Sequence, residues 1–335
     1  MLADPILYAG FAAVITVLLA IDLLVVHRDT HEVSIKEAAT WSAIWIGVAL
    51  LFGAFIPRLH EGGGGSSTID YFTGYVIEKS LSVDNVFLFV LIFKALSVPR
   101  IYQHRVLFYG VLGAIVMRTI LIFTGAAIIE RFEWVLIVFG VFLLYTAYRT
   151  WIQRDEHPDV ADSKLLRRVR RVLPATSEYR GERFVVRENG RLLATPLLLV
   201  LILVEFTDLI FAMDSIPAIF AVTQDPFIVL TSNIFAILGL RALYFLLAGV
   251  ADRLRYLKAG LALILGYVGV KIIIEHVEAV PHPSPLLSLG VVIGILTITV
   301  ILSLRADRVA GERVPPAGIG GLFQRRREEE PQNNA

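Results

Sequence analysis

Three acidic residues interrupt the apolar stretch "LVEFTDLIFAMDSIPAIF" at residues 203–220: Glu205, Asp208 and Asp214. The stretch has the length of a membrane span, yet an acid at the centre of a membrane helix costs about 2.5–3.5 kcal/mol on insertion scales. Ionisable groups inside membrane helices are by default functional candidates, because they mark ion pathways and proton relays. The stretch therefore predicts a site that needs carboxylates inside a membrane.

A second polar segment has the same spacing. "EKSLSVDNV" (78–86) aligns with "DLIFAMDSI" (208–216), so that acids six residues apart coincide in the two segments. All the candidate ligands are oxygen donors, which suit Mg²⁺, Ca²⁺ or Mn²⁺, and protons can exchange for a cation at such carboxylates. The predicted ligands are Asp84, Asp214, Glu78, Asn85, Asp208, Glu205 and Ser215.

Helix geometry limits how these acids can meet. On an ideal helix Glu205 and Asp214 point about 180° apart, so one straight helix cannot direct all three acids at one ion. Pro217 has no N–H for the carbonyl of Met213, and we expect it to break the helix beside Asp214. We expect Asp84 and Asp214, which are equivalent in the alignment, to face each other across the midplane and share one cation.

Charged residues elsewhere in the apolar segments have supporting roles. Arg118 and Arg241 are predicted to offset part of the negative charge while the site is empty. Asp22, near the inner end of the first span, is a secondary candidate, since helix capping and ion pairing explain it as well as ligation does.

The composition sets the class of protein. Of 335 residues 56% are hydrophobic, and the mean hydropathy is +0.70, which is typical of a polytopic membrane protein. There is no cysteine, so this chain forms no disulfide and no thiolate metal site. The first apolar run lacks a basic leader and a small-residue cleavage site, which favours a retained first helix over a signal peptide.

The fold class predicted is an all-α membrane bundle of about nine transmembrane helices. Lys and Arg concentrate in the loops after spans one, three, five and seven and in the C-terminal tail, whereas the opposite side has only Arg58 and Arg131. By the positive-inside rule the N-terminus is outside and the C-terminus cytoplasmic. The predicted spans are 6–26, 39–57, 69–94, 106–129, 133–151, 196–221, 227–250, 259–277 and 285–304.

Spans three to five resemble spans six to eight. Besides the acid motifs, Arg118 of "GAIVMRTIL" aligns with Arg241 of "AILGLRALY", and "YTAYR" (145–149) aligns with "YVGVK" (267–271). The two triplets begin on opposite sides of the membrane, which predicts an inverted 3+3 repeat. In secondary transporters of this architecture the substrate and ion sites lie at the repeat interface, where discontinuous helices are expected.

The remaining segments are assigned by composition. Residues 1–308 form the transmembrane domain, which includes a cytoplasmic loop at 152–195. Within that loop "SKLLRRVRRVLP" (163–174) is typical of a basic amphipathic helix, and Asn189-Gly190 predicts a β-hairpin over 183–195. Residues 309–335 are predicted to be a disordered cytoplasmic tail.

The motifs resemble those of the TerC family of integral membrane proteins, including its Alx-type members. The resemblance covers about residues 8–276 and rests on "HEVSIKEAATWSAIWIGVALLFG", "YVIEKSLSVDNVFLFVLIF", "YQHRVLFYGVLGAIVMR" and "EFTDLIFAMDSIPAIFAVTQDPFIVLTSNIFAILGLRALYFLL". It implies tellurium resistance or manganese export and so narrows the cation to Mn²⁺. The Gly-rich outer loop and the C-terminal tail depart from the family pattern.

The leading hypothesis is a multi-pass inner-membrane exporter of Mn²⁺, driven by proton antiport, with no permanently bound cofactor and no nucleic-acid partner. A Ca²⁺/H⁺ exchanger of the same architecture is the near alternative, because oxygen ligands barely separate the two ions. An intramembrane aspartyl protease is disfavoured, since the chain has no Gly-x-Gly-Asp element, and we expect no enzymatic activity. A membrane scaffold remains a third class of function. In every case the lipid bilayer is a partner of the protein.

Overall fold

The computed structural model describes residues 5–22, 33–59, 65–155, 176, 178–188, 191–248, 256–275 and 284–313. The described part of the chain is almost entirely helical, with one two-stranded sheet between the fifth and sixth helices. The helices are α1 Pro5–Ile21, α2 Ile35–Leu59, α3 Gly65–Ala95, α4 Arg100–Arg131, α5 Val135–Ile152, α6 Pro196–Phe220, α7 Pro226–Leu238, α8 Leu240–Leu247, α9 Leu257–Glu275 and α10 Pro285–Arg313; the strands are β1 Val185–Glu188 and β2 Arg191–Ala194.

Length and apolar composition make this a multi-pass membrane protein. Among the described residues α2, α4, α5, α6, α9 and α10 are long and apolar enough to cross a bilayer, and the bent pair α7–α8 would be a seventh span. Each of the nine predicted spans coincides with one of these helices, with α1 or with α3. Helix α1 is short at 17 residues. Helix α3 carries five charged side chains: Asp70, Glu78, Lys79, Asp84 and Lys94. Neither is among the helices that length and apolar composition identify as spans. The count of nine membrane crossings therefore stays a prediction.

The packing order places α3 and α6 at the centre. The longest contact is that of α5 along α9, while α3 packs on α6 and α7, and α4 packs on α6 and α7. Close approaches fix the direction of α3 against α6: Gly74 lies against Ile219, and Asn85 binds Asp208, so the two helices are antiparallel. Outward-facing apolar side chains such as Leu51 and Ile120, each 60% exposed, suit contact with lipid tails.

The break in the helical framework lies at Gly239, where α7 and α8 meet at a bend of about 40°. A Cβ on Gly239 would lie 2.9 Å from Lys79 Nζ and 3.2 Å from Trp45 Cβ, so the absence of a side chain permits this close approach. Lys79 uses the space to donate a hydrogen bond to the carbonyl of Ala236, at 3.1 Å, in the turn before the bend. The discontinuity thus lies in the seventh predicted span, while the two acid-bearing helices α3 and α6 are continuous.

The predicted hairpin is present, and several other predicted segments lie outside the described residues. In β1 and β2 Val185 pairs with Ala194 and Glu188 with Arg191 in an antiparallel ladder. The turn residues 189 and 190, the amphipathic segment 163–174 and the chain from 314 onward are not among the described residues. Helix α10 continues to Arg313, past the predicted domain boundary at 308.

Candidate functional site

A fully buried arginine joins the two acid-bearing helices. Arg118 of α4 directs Nε and Nη2 at the two carboxylate oxygens of Asp208 on α6, at 3.0 and 2.9 Å. Its Nη1 donates to the carboxylate of Glu78 on α3. The side chains of Arg118 and Glu78 are 0% exposed, and that of Asp208 is 3% exposed. We call this triad and its polar neighbours the Arg118 network.

Three uncharged side chains complete the Arg118 network. Asn233 of α7 accepts from Arg118 Nη1 at 3.2 Å and donates to the second oxygen of Glu78 at 3.1 Å. Ser215 accepts a longer hydrogen bond from Arg118 at 3.4 Å, and Asn85 donates to Asp208 at 3.5 Å. The Oδ1 atom of Asn85 is buried and has no hydrogen-bond partner in the described part of the chain.

The electrostatics of the Arg118 network follow from its composition. One guanidinium faces two carboxylates, so the triad carries a net negative charge when Glu78 and Asp208 are both ionised. A bidentate guanidinium–carboxylate pair is among the strongest hydrogen-bonded pairs, and it is what allows these charges to remain buried. Removing the cation would leave both carboxylates uncompensated. The network is therefore a place where a metal cation could replace the guanidinium of Arg118.

The remaining predicted ligands lie around this network. Glu205, one turn before Asp208 on α6, fills the space beside Gly113 of α4, and its Oε2 has no hydrogen-bond partner among the described residues. Asp214 accepts a hydrogen bond from Thr146 of α5 at 3.1 Å. Asp84 interacts electrostatically with Lys258 at the start of α9.

The antiparallel register sets the levels of the acids along α3 and α6. Pairing Gly74 with Ile219 and Asn85 with Asp208 puts Asp84 and Asp214 about five residues apart in level, roughly 8 Å along the helix axis. Glu78 and Asp208, the other equivalent pair, lie about seven residues apart in level, and the long side chain of Arg118 bridges them. The sharing of one ion by Asp84 and Asp214 stays a prediction, whereas the structure brings together Glu78 and Asp208.

Two predictions from the sequence need correction. Helix α6 runs unbroken through Pro217 to Phe220, so the break predicted at Pro217 is wrong. The proline removes one hydrogen bond to the carbonyl of Met213, and this single loss does not end the helix. Arg241 does not join the Arg118 network. It forms a buried ion pair with Asp22, directly after α1, beside Trp41 and Trp45, so its charge compensates the secondary candidate instead.

Sequence reasoning missed Asn233. The polar run Thr231-Ser232-Asn233 inside an apolar span was the available signal, but short polar side chains in membrane helices commonly bond within their own helix. Thr231 and Ser232 do so, to the carbonyls of Phe227 and Val229. Only the tertiary packing of α7 on α3 gives Asn233 its partner Glu78.

The predicted ligands do not form one cluster of carboxylates. Across the described ranges, no three His, Cys, Asp or Glu side chains lie together as a group that could hold a metal ion. In the Arg118 network the guanidinium occupies the space between Glu78 and Asp208. The structure therefore presents the site with one of its two carboxylate charges compensated by arginine.

Comparison with known proteins assigns the chain to a family. Residues 64–310 match the integral membrane protein TerC family. The chain belongs to the TerC family. The matched residues include both acid motifs and Arg118, and the match confirms the resemblance seen in the sequence motifs. No solved structure matches.

Relatives within the TerC family extend over almost the whole chain. A protein of Escherichia coli named "Putative membrane-bound redox modulator Alx" is 51% identical over 305 residues, which is 89% of this chain and 94% of that protein. An "Uncharacterized membrane protein STKORF319" of Myxococcus xanthus is 49% identical over 308 residues, 92% of this chain and 94% of that protein. A membrane protein of Rickettsia bellii is 41% identical over 294 residues, 88% of this chain and 95% of that protein.

Proposed function

We propose that this TerC-family protein exports Mn²⁺ in exchange for protons. The observation that carries the proposal is the Arg118 network: Glu78 and Asp208, from two different helices, are buried together with more negative than positive charge. Every potential ligand there is a carboxylate, amide or hydroxyl oxygen, which suits a hard divalent cation. Buried carboxylates in a membrane are costly, and cation transport gives a reason for them.

Exchange of Arg118 for the ion explains how the empty site could be stable and yet bind an ion transiently. While Arg118 lies between Glu78 and Asp208, it compensates part of their negative charge without metal. When the guanidinium withdraws, the oxygens of Glu78 and Asp208, with those of Asn85 and Ser215, are available to a divalent ion, whose ligands lie about 2.0–2.6 Å away. The side chain of Asn233, freed from Arg118, would then turn its own oxygen to the ion.

Glu205 suits the part of proton carrier. Its unpartnered oxygen lies one turn from Asp208, and the two acids interact unfavourably when both are ionised. A cation at Asp208 would relieve that repulsion, so binding of the ion and loss of a proton from Glu205 would favour each other. Asp84 and Asp214 are proposed as further ligands along the path.

The contact pattern supports an inverted repeat as the transport framework. Helix α3 packs on α7, and its proposed counterpart α6 packs on α4; α5 and α9, the third helices, pack on each other. In the alignment Glu78 corresponds to Asp208, and Asn85 corresponds to Ser215. Asp208 binds Asn85, and Arg118 joins Glu78 to Ser215, so the two contacts are between corresponding residues with the helices exchanged. A two-fold axis in the membrane plane between α3 and α6 would produce this exchange.

The proposal includes nine spans with the N-terminus outside and the C-terminus in the cytoplasm. Single cysteines can be introduced at Gly190 and Gly63, since the chain has none of its own. An impermeant thiol reagent should reach Gly63→Cys only from outside and Gly190→Cys only from inside. Labelling of both from the same side would overturn the topology and the inverted repeat.

Metal uptake by the purified full chain in proteoliposomes tests the transport activity. We expect Mn²⁺ to move in exchange for protons, and Asp208→Asn, which keeps the shape but removes a charge, to abolish uptake. Asp22→Asn is the matched control and should retain most of the activity, because Asp22 lies outside the Arg118 network. Equal loss in both variants, or no metal movement at all, would contradict the proposal.

Two alternatives have distinct outcomes in the same assay. Movement of Ca²⁺ but not Mn²⁺ would make the protein a Ca²⁺/H⁺ exchanger built on the same ligands. A membrane scaffold, or a protein that confers tellurium resistance without transport, would show no uptake, and deletion of residues 309–335 would then matter more than neutralising Asp208.

The name of the Escherichia coli relative describes a redox modulator. This chain contains no cysteine, so its own side chains cannot perform thiol–disulfide exchange. We propose that a redox effect of this chain would instead arise through the ion that it moves.

A further inference from the structure

A cavity of about 430 Å³ lies among the ends of α2, α3, α4 and α8, away from the Arg118 network. It is lined by residues at the start of α2, the end of α3, the start of α4 and the end of α8. All these ends belong to the side that the distribution of Lys and Arg predicts to be cytoplasmic. Its volume is within the range of small-ligand sites.

The floor of the cavity is apolar. Val90, Phe93 and Val98 are buried there, and the hydroxyl of Tyr244 donates a hydrogen bond to Gln103 Oε1 at 2.9 Å. The amide of Gln103 in turn donates to the carbonyl of Val98 at 3.0 Å. Because these polar groups are already paired with one another, the floor offers a ligand mainly apolar contact.

The rim of the cavity is cationic. Lys94 and Arg100 line it, both are exposed, and neither forms an ion pair within the ranges that the structure describes. The lining contains no Asp or Glu to balance them. The rim therefore presents two positive charges that lack a counterion from the described residues.

A tight turn between α3 and α4 holds these two charges near each other. Ser97 has a positive φ of 50°, which is uncommon for a residue other than glycine and marks a constrained backbone. The turn is closed by hydrogen bonds from Ser97 N to Lys94 O at 3.1 Å and from Val98 N to Phe93 O at 2.9 Å. An unusual backbone conformation of this kind persists only where the surrounding contacts hold it in place, so the turn is a fixed feature of the cavity.

We infer that this cavity binds the headgroup of an anionic phospholipid of the inner leaflet. Lys94 and Arg100 would hold the phosphate, for which ammonium and guanidinium groups are the usual partners, and the apolar floor would contact the glycerol backbone and first acyl carbons. Basic pockets between membrane helices on the cytoplasmic side are suited to such lipids. The site is separate from the cation path, so the inference does not depend on the transported ion.

Native mass spectrometry of the purified full chain in detergent tests this site. After incubation with equal amounts of phosphatidylglycerol and phosphatidylcholine, we expect selective retention of phosphatidylglycerol. Lys94→Gln and Arg100→Gln should each weaken retention about five-fold, the effect expected for one basic residue near an anionic lipid. Both residues are exposed, so the variants are expected to fold.

Lys36→Gln is the matched control, because Lys36 is an exposed cation at the start of α2 that does not line the cavity. It should leave retention unchanged. Equal retention of the two lipids, or an equal loss in Lys36→Gln, would overturn the assignment. Displacement of the lipid by glycerol 3-phosphate at matched concentration would assign the site to a soluble phosphate ester and overturn the lipid assignment.

Discussion

Arg118 and Arg241 occupy equivalent places in the two predicted repeats, yet their surroundings differ. Arg118 is fully buried and contacts two carboxylates, an amide and a hydroxyl drawn from α3, α6 and α7. Arg241 forms its ion pair with Asp22, directly after α1, a helix that precedes both repeats, beside Trp41 and Trp45. Equivalent sequence positions therefore do not give equivalent sites.

Under the proposed exchange of Arg118 for a cation, the difference assigns the exchangeable site to Arg118 and not to Arg241. Arg118 faces two acids on opposing helices, so its removal would leave a vacancy between them with an excess of negative charge. Arg241 lies near the predicted inner surface and its pair with Asp22 links α8 to α1. We interpret the first as the centre of transport and the second as a structural anchor beside the bend at Gly239.

The largest effect is expected at Arg118. Arg118→Met should lower the free energy of unfolding by about 3–5 kcal/mol, because Glu78 and Asp208 lose their buried counterion. Arg241→Met is the comparison variant and should cost less, since Asp22 lies near the membrane surface. Unfolding of the purified protein by SDS in mixed micelles measures both.

A triple variant sharpens the comparison. Adding Glu78→Gln and Asp208→Asn to Arg118→Met removes the two uncompensated charges, so it should restore most of the lost stability. If Arg118→Met alone were as stable as Arg241→Met, or if the added changes restored nothing, the two arginines would not differ in the way described.

An intermediate effect is expected at the bend next to Arg241. Gly239→Ala would place a Cβ 2.9 Å from Lys79 Nζ and 3.2 Å from Trp45 Cβ, and overpacking of this kind costs about 1–3 kcal/mol. Gly47→Ala is the control, since a Cβ there meets nothing within 4 Å. The same SDS titration should show a loss for Gly239→Ala and none for Gly47→Ala; equal stability of the two would mean that the bend tolerates a side chain.

The smallest effect concerns Asp214, which lies outside both arginine pairs. Thr146→Val removes the hydroxyl that donates to Asp214 at 3.1 Å, and side-chain hydrogen bonds between membrane helices contribute on average about 0.6 kcal/mol. Thr119→Val is the control, because its hydroxyl bonds to the carbonyl of Ile115 in its own helix. A loss of several kcal/mol in Thr146→Val would instead place Asp214 in a network as critical as that of Arg118.

The sequence predicted the composition of the site better than its geometry. Of the predicted ligands, Glu78, Asn85, Asp208 and Ser215 do meet around Arg118. The break at Pro217 was wrong, because the loss of one hydrogen bond to the carbonyl of Met213 does not end a helix that also packs on α3 and α4. The bend occurs at Gly239 instead, where tertiary contacts with Lys79 and Trp45 require a residue without a side chain.

The sequence by itself determined the class of protein and the residues that can do chemistry. Long apolar runs can only be stable as membrane helices, and acids inside such runs are too costly to be incidental, so both conclusions follow from local composition. Tertiary structure decided which acids share a partner and which arginine they share. That choice depends on the place of Arg118 on α4, which bridges Glu78 and Asp208, and on the packing of α4 and α7 against α3 and α6, and no local pattern in the sequence encodes these contacts between helices.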